Sequence, residues 1–239
     1  MRPFALVMLC LCLATPVGAG PWMREKGTAF LSFGQETGQE TETWTSLYAE
    51  YGLSARSTLI VDLGRGDRSE DYWIGWQTPV FPDTWSQKLT MTGWVGSRKL
   101  DGESVSMYGL GANWGMSVQD PLWHRPGWLS AELRHLQAPQ SVRYDPAAEG
   151  IDPMTLPDPS HLPSKSFTKL DLTAGLHLRE DLMVFTQLQL YKPDNDGLSR
   201  SLTASVVKEF AWAQLQLGVS APLEAERQPR VKLGLWFEF

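Results

Sequence analysis

Beyond residue 12 the chain has no cysteine; Cys10 and Cys12 are its two thiols, and both lie in the first apolar stretch. A mature protein without them excludes disulfide scaffolds, thiolate zinc sites and cysteine nucleophiles. Long apolar runs are also missing. No later window holds about 18 consecutive apolar residues, so no helix can cross a bilayer and any crossing falls to strands. Basic charge is scarce: without Arg2, 20 Lys and Arg stand against 27 Asp and Glu, a formal charge of −7. The basic stripes that nucleic acid requires are absent, so no nucleic-acid partner is expected. No two histidines have ligand spacing, and no glycine-rich loop leads from a strand into a helix, so neither a metal nor a cofactor is expected. Aromatics, by contrast, are abundant, with eleven Trp, nine Phe and six Tyr in a chain only 42% hydrophobic.

The amino terminus reads as an export signal. Met1-Arg2-Pro3 is a short positive segment, residues 4–14 are apolar, and Val17-Gly18-Ala19 fits a small-residue cleavage site. Eleven apolar residues are too few for a spanning helix, which needs about 20. Residues 1–19 are therefore expected to be removed, leaving Gly20 first. Neither cysteine follows the small residue that a lipid-acceptor cysteine wants.

The other end shows the governing pattern. Val231, Leu233, Leu235, Phe237 and Phe239 alternate with Arg230, Lys232, Gly234, Trp236 and Glu238. In a strand these fall on opposite faces. A strand between lipid and a wet lumen must show such alternation every time. Walking back, the same period recurs at residues 28–35, 44–53, 58–66, 71–78, 88–97, 105–116, 127–136, 169–178, 182–191, 198–207 and 211–219. With the last strand this predicts an all-β, transmembrane, antiparallel up-and-down barrel of 12 strands across residues 20–239, with 10 as the alternative count. In the ninth strand Phe185 and Thr186 sit on the wrong faces for an ideal pattern.

With both termini on the periplasmic side, links after even strands should be short and those after odd strands longer. Residues 54–57, 179–181 and 208–210 are tight, whereas 36–43, 137–165, 192–197 and 220–228 are longer and polar. Two even links, 79–87 and 117–126, are too long for ideal turns but carry Phe81, Trp85 and Trp123, which suit an inner interfacial belt. Residues 137–165, rich in proline and acid, are expected to form an external loop or a lid in the mouth.

On these features the chain resembles bacterial outer-membrane β-barrel proteins. Leu233, Leu235, Trp236, Phe237 and terminal Phe239 look like the C-terminal signal read by the barrel-assembly machinery. Residues 51–59 look like a strand-turn-strand repeat of small barrels of this type. The resemblance implies outer-membrane lipid, the assembly machinery and periplasmic chaperones as partners, and a bacterial outer-membrane location.

Twelve strands fall between barrels filled by side chains and those with a wide aqueous channel. The inward candidates are Glu50, Asp62, Lys88, Glu132, Arg134, Lys169, Asp171, Gln187, Gln189 and Lys232, with His177, Gln214, Gln216, Arg230 and Glu238 on the same parity. Both charge signs occur, which implies no strong ion selectivity. The expected function is a narrow channel or transporter for small solutes. The alternatives are a structural or adhesive surface barrel, for which these residues pair as a plug, and a lipid-modifying enzyme. For the enzyme, His135 is the histidine with suitable depth and Ser106 or Ser130 the available hydroxyls, but no nucleophile-elbow pattern surrounds either serine. Asp145, Glu149, Asp152 and Asp158 lack a calcium-loop pattern and read as solvated loop acids. Gly93, Gly109, Gly111, Gly175 and Gly218 are expected to permit curvature or to seat large neighbours.

Overall fold

The computed structural model describes residues 20–38, 43–82, 84–122, 125–139, 165–224 and 228–239. The expected leader at 1–19, His124, His161, the four loop acids and most of the expected loop at 137–165 lie outside them. The twelve strands are β1 (Ala29–Thr37), β2 (Thr43–Ser54), β3 (Ser57–Gly66), β4 (Ser69–Pro79), β5 (Gln87–Leu100), β6 (Glu103–Leu122), β7 (Arg125–Gln137), β8 (Ser166–Arg179), β9 (Leu182–Pro193), β10 (Ser199–Glu209), β11 (Gln214–Pro222) and β12 (Arg230–Glu238). Each pairs antiparallel with its neighbours in sequence, and β1 closes the sheet on β12. Closure leaves no unpaired edge, the requirement for a sheet in hydrocarbon. It also settles the strand count at 12 rather than 10.

Contacts across the cylinder fix which face is inward. Arg134 of β7 bonds Asp62 of β3, and Arg98 of β5 bonds Tyr191 of β9. Neither pair of strands is adjacent, so these side chains meet through the interior. Register then carries that parity round the barrel, because directly paired residues share a face. The outward set is apolar and exposed, with Val95 57%, Leu110 62% and Leu217 56% accessible. Such a surface suits hydrocarbon and would be costly in water.

Several links differ from expectation. Residues 117–126 are not a link: β6 and β7 continue as a hairpin to the pair Leu122 and Arg125, with a register shift after Val118. Backbone pairing outlasts the side-chain alternation there, since only the lipid-embedded stretch must alternate. Two odd links expected to be long are two-residue turns, 67–68 and 101–102. Asp101 and Gly102 both have positive φ, 49° and 95°, the geometry that matches hairpin twist. The Arg68 guanidinium donates to both Asp101 carboxylate oxygens at 2.6 and 2.7 Å, tying the two turns together. β11 begins at Gln214 rather than at 211; residues 211–213 belong to the turn closed by Phe210 N–H donating to the Ala213 carbonyl.

Face assignments in β9 are strictly alternating. Phe185 points inward, its ring centroid 6.1 Å from that of Trp236, and Thr186 points outward. The aromatics are divided in the same way. Trp76, Trp212, Phe237 and Phe239 lie outside near the termini, as a belt would. Trp44, Trp73, Trp94, Trp128 and Trp236 lie inside. Interior rings need seats against the wall, and glycines on adjacent strands provide them. A Cβ on Gly64 would overlap the Trp44 ring, one on Gly175 the Trp128 ring, and one on Gly111 would lie 2.9 Å from the Trp94 indole nitrogen. Gly93 seats no neighbour: it faces outward, and no atom lies within 4 Å of a Cβ built there.

Candidate functional site

The lumen has three tiers. Nearest the end opposite the termini, Arg98 forms a fork with Asp71, Nε to Oδ1 and Nη2 to Oδ2 both at 2.7 Å, while Nη1 donates to the Tyr191 hydroxyl. Its guanidinium lies 4.3 Å from the Phe167 ring centroid and 5.4 Å from that of Tyr191. Trp73 meets Phe167 edge-on at 5.9 Å, β4 to β8. Ile60, Trp73, Trp94, Met107, Leu136 and Phe167 form one buried cluster against this tier. Arg tolerates this setting better than Lys because its planar cation is weakly hydrated and stacks on rings.

In the middle tier Arg134 donates to Asp62 at 2.8 Å and to Glu132 at 3.1 Å, and its guanidinium lies 3.8 Å from the Trp94 ring centroid. Lys169 bonds Asp171 at 2.9 Å on the same side. Across the barrel the wall from β9 to β12 carries hydroxyls and amides that bond one another. Thr203 donates to Ser220 at 3.1 Å and Gln216 to Ser205 at 2.9 Å. Lys232 pairs with Glu36 at 3.1 Å.

At the tier by the termini, residues 20–27 fold into the lumen. Glu50 accepts from Arg24 Nε and from the Tyr48 hydroxyl, each at 2.6 Å. Gln77 donates to the Gly20 carbonyl and to the Thr90 hydroxyl, each at 2.8 Å.

Register places Glu50, Asp62, Lys88, Glu132, Arg134, Lys169, Asp171, Gln187, Gln189 and Lys232 on the inward face. The structure brings Asp62, Glu132 and Arg134 together and pairs Lys169 with Asp171, whereas Glu50 belongs to a separate cluster. The sequence reading missed Asp71, Arg98, Tyr191 and Arg24, and it expected a polar lumen where an apolar cluster fills one side. The parity of Trp73 and Trp94 signals part of this; Arg24 precedes the first strand and carries no periodic signal. Of the residues expected to form an assembly signal, Leu233, Leu235, Phe237 and Phe239 face outward, while Trp236 packs inside on Phe30 at 6.0 Å.

The lipid-enzyme geometry does not form. His135 faces outward and its Nδ1 lies 2.9 Å from the Thr168 hydroxyl, whereas Ser130 faces the lumen opposite Thr173. Ser106 shares the outward parity but pairs with Ser97, two pairs beyond Tyr108, the partner of Gln137. Among the described residues, therefore, neither Ser106 nor Ser130 is placed to bond this imidazole.

No family model matches the chain, and no curated protein matches it. Solved structures share its fold. KdgM porin is 10% identical, over 88% of this chain and 99% of that one, with a TM-score of 0.56. The outer membrane channel from Pseudomonas putida F1 is 12% identical, over 94% and 100%, also at 0.56. KdgM porin in complex with disordered oligogalacturonate is 10% identical, over 89% and 99%, at 0.52. At these identities the likeness is one of architecture. The chain is a closed, twelve-stranded antiparallel β-barrel of the kind built by outer-membrane porins and channels.

Proposed function

We propose that this protein is exported by a leader cleaved after Ala19, inserted into the bacterial outer membrane with the help of periplasmic chaperones and the assembly machinery, and acts there as a narrow channel for small solutes. The observation that carries this reading is the contrast between an apolar exterior and an inner wall of hydroxyls, amides and charges. Glu50, Asp62, Lys88, Glu132, Arg134, Lys169, Asp171, Gln187, Gln189 and Lys232 line the proposed path. Among the described residues Arg24, Arg98, Arg134, Lys169 and Lys232 each have a carboxylate partner. Balanced charge favours small neutral or zwitterionic solutes over a polyanion such as the oligogalacturonate of the KdgM complex.

Planar-bilayer recording tests this. Folded protein should give small unitary currents with a reversal potential near zero in a salt gradient, rising when the expected external loop at 137–165, the proposed gate, is deleted. Folded protein that carries no current in either form would refute the channel. A second reading is favoured by the Arg98 to Tyr191 bond and the Trp73 to Phe167 contact, which bridge the lumen from wall to wall. On that reading the barrel is closed and its role is structural or adhesive.

A further inference from the structure

The middle tier departs from the usual pairing of charges across strands. On the inward face of β7 and β8, register sets Arg134 directly opposite Lys169 and Glu132 directly opposite Asp171. Like charges directly opposite one another are destabilising, and swapping the two residues on either strand would have set opposite charges face to face. Instead each cation bonds the acid on its own strand, Arg134 to Glu132 at 3.1 Å and Lys169 to Asp171 at 2.9 Å. A row of cations thus lies beside a row of carboxylates, a fixed dipole on one wall of the lumen.

Each row keeps one unused hydrogen-bonding atom. Arg134 donates through Nη1 to Asp62 and through Nη2 to Glu132, but among the described residues nothing accepts from its Nε. Asp171 holds Lys169 at Oδ2, and nothing donates to its Oδ1. Arg134 is 6% exposed and Asp171 8%, and a buried polar atom without a partner is costly, a cost that a bound group of matching chemistry removes. Asp62, Glu132 and Asp171 also outnumber Arg134 and Lys169, so the open acceptor calls for a cation. Of these groups the Lys169 side chain is the most accessible, at 36%, and its flexible stem lets the ammonium swing away from Asp171 into the lumen.

We propose that Arg134, Lys169 and Asp171 form a subsite for a small zwitterion whose primary ammonium and carboxylate lie close together, as in an α-amino acid. The solute ammonium takes the place of the Lys169 ammonium at Asp171, and the released Lys169 holds the solute carboxylate together with Arg134 Nε. One internal ion pair is exchanged for two contacts of opposite sign. Glu132 stays with Arg134 and keeps its guanidinium in place. A lone amine or a lone carboxylate completes only half of the exchange. Entry to this subsite depends on the proposed solute path, on which the inference rests.

The test measures binding to the folded barrel in detergent by isothermal titration calorimetry at neutral pH, with alanine, propylamine and propionate as probes. Alanine should bind about tenfold more tightly than either of the other two, the step expected of one charge-assisted hydrogen bond. Asp171→Asn should weaken alanine by about the same factor. Lys169→Met should remove the preference for alanine over propylamine, because propylamine then meets no internal competitor at Asp171 while alanine loses a partner for its carboxylate. A change in packing would not reorder the probes, so this variant carries the test if Asp171→Asn does not fold. Equal affinity for the three probes, no saturable binding of alanine, or an unchanged preference in Lys169→Met overturns the proposal. Bilayer recording separates the two readings. A conducting barrel that does not bind alanine loses the subsite alone, and a silent barrel that binds it loses the channel alone.

Discussion

Replacing Arg134 with methionine removes the cation at the centre of the lumen while keeping its apolar stem. The arginine side chain is 7% exposed, whereas its partners Asp62 and Glu132 are 29% and 34% exposed. Breaking a fully buried pair costs about 3–5 kcal/mol and an exposed pair about 0–1. With one partner dry and two partly wet, the ionic loss falls near ~2 kcal/mol. The face-on contact with Trp94 at 3.8 Å adds ~1 kcal/mol when desolvated. The expected cost of Arg134→Met is thus about 3 kcal/mol, read as a lowered urea midpoint in detergent by tryptophan emission. The triple variant Arg134→Met, Asp62→Asn, Glu132→Gln removes the orphaned carboxylates and should recover more than half of that loss. If the single variant stays within about 0.5 kcal/mol of the parent, below the size of any well-made buried pair, the clamp does not stabilise this lumen. If the triple is no better than the single, uncompensated charge is not the reason for the loss.

Other expectations follow from the same geometry. Gly175→Leu places a side chain where the Trp128 ring lies; it should destabilise the barrel by about 1–3 kcal/mol and shift tryptophan emission, and an unchanged spectrum with full stability would contradict the seating. Arg98→Ala cuts the link to Tyr191 across the outer tier and should raise unitary conductance, so an unaltered current would place the constriction elsewhere. In the turn between β8 and β9, the hydrogen bond from the Lys208 ammonium holds the Asp181 carboxyl below the usual carboxylate range. A lowered folded value stabilises above the unfolded pKa, near 4, and is lost as pH falls through the folded one. Protection factors for amide exchange at this turn, taken relative to the slower intrinsic exchange in acid, should fall on acidification below about pH 4, and Asp181→Asn should abolish that dependence.

How much of this was legible beforehand depends on which solvent each residue meets. The outward face answers to lipid alone, so Leu110, Leu217 and Leu233 announce themselves by period, and twelve such segments yield the strand count and the shared end of the termini. Strand ends were less legible: β6 continues to Leu122 and β11 starts at Gln214 because backbone pairing, not side-chain pattern, governs outside the apolar slab. The inward face obeys no comparable rule. Trp73 and Arg98 share it, and either would suit a filled or an open lumen.

Sequence alone therefore determined the cylinder: local alternation against hydrocarbon forces strands, and the cost of an unpaired edge forces closure. Only the tertiary structure decided what meets inside it. Arg134 finds Asp62 across 72 positions, Arg98 finds Tyr191 across 93, and Arg24 turns back to join Glu50 with Glu238. Those meetings depend on strand order and register around a closed circle, which no stretch of chain encodes by itself.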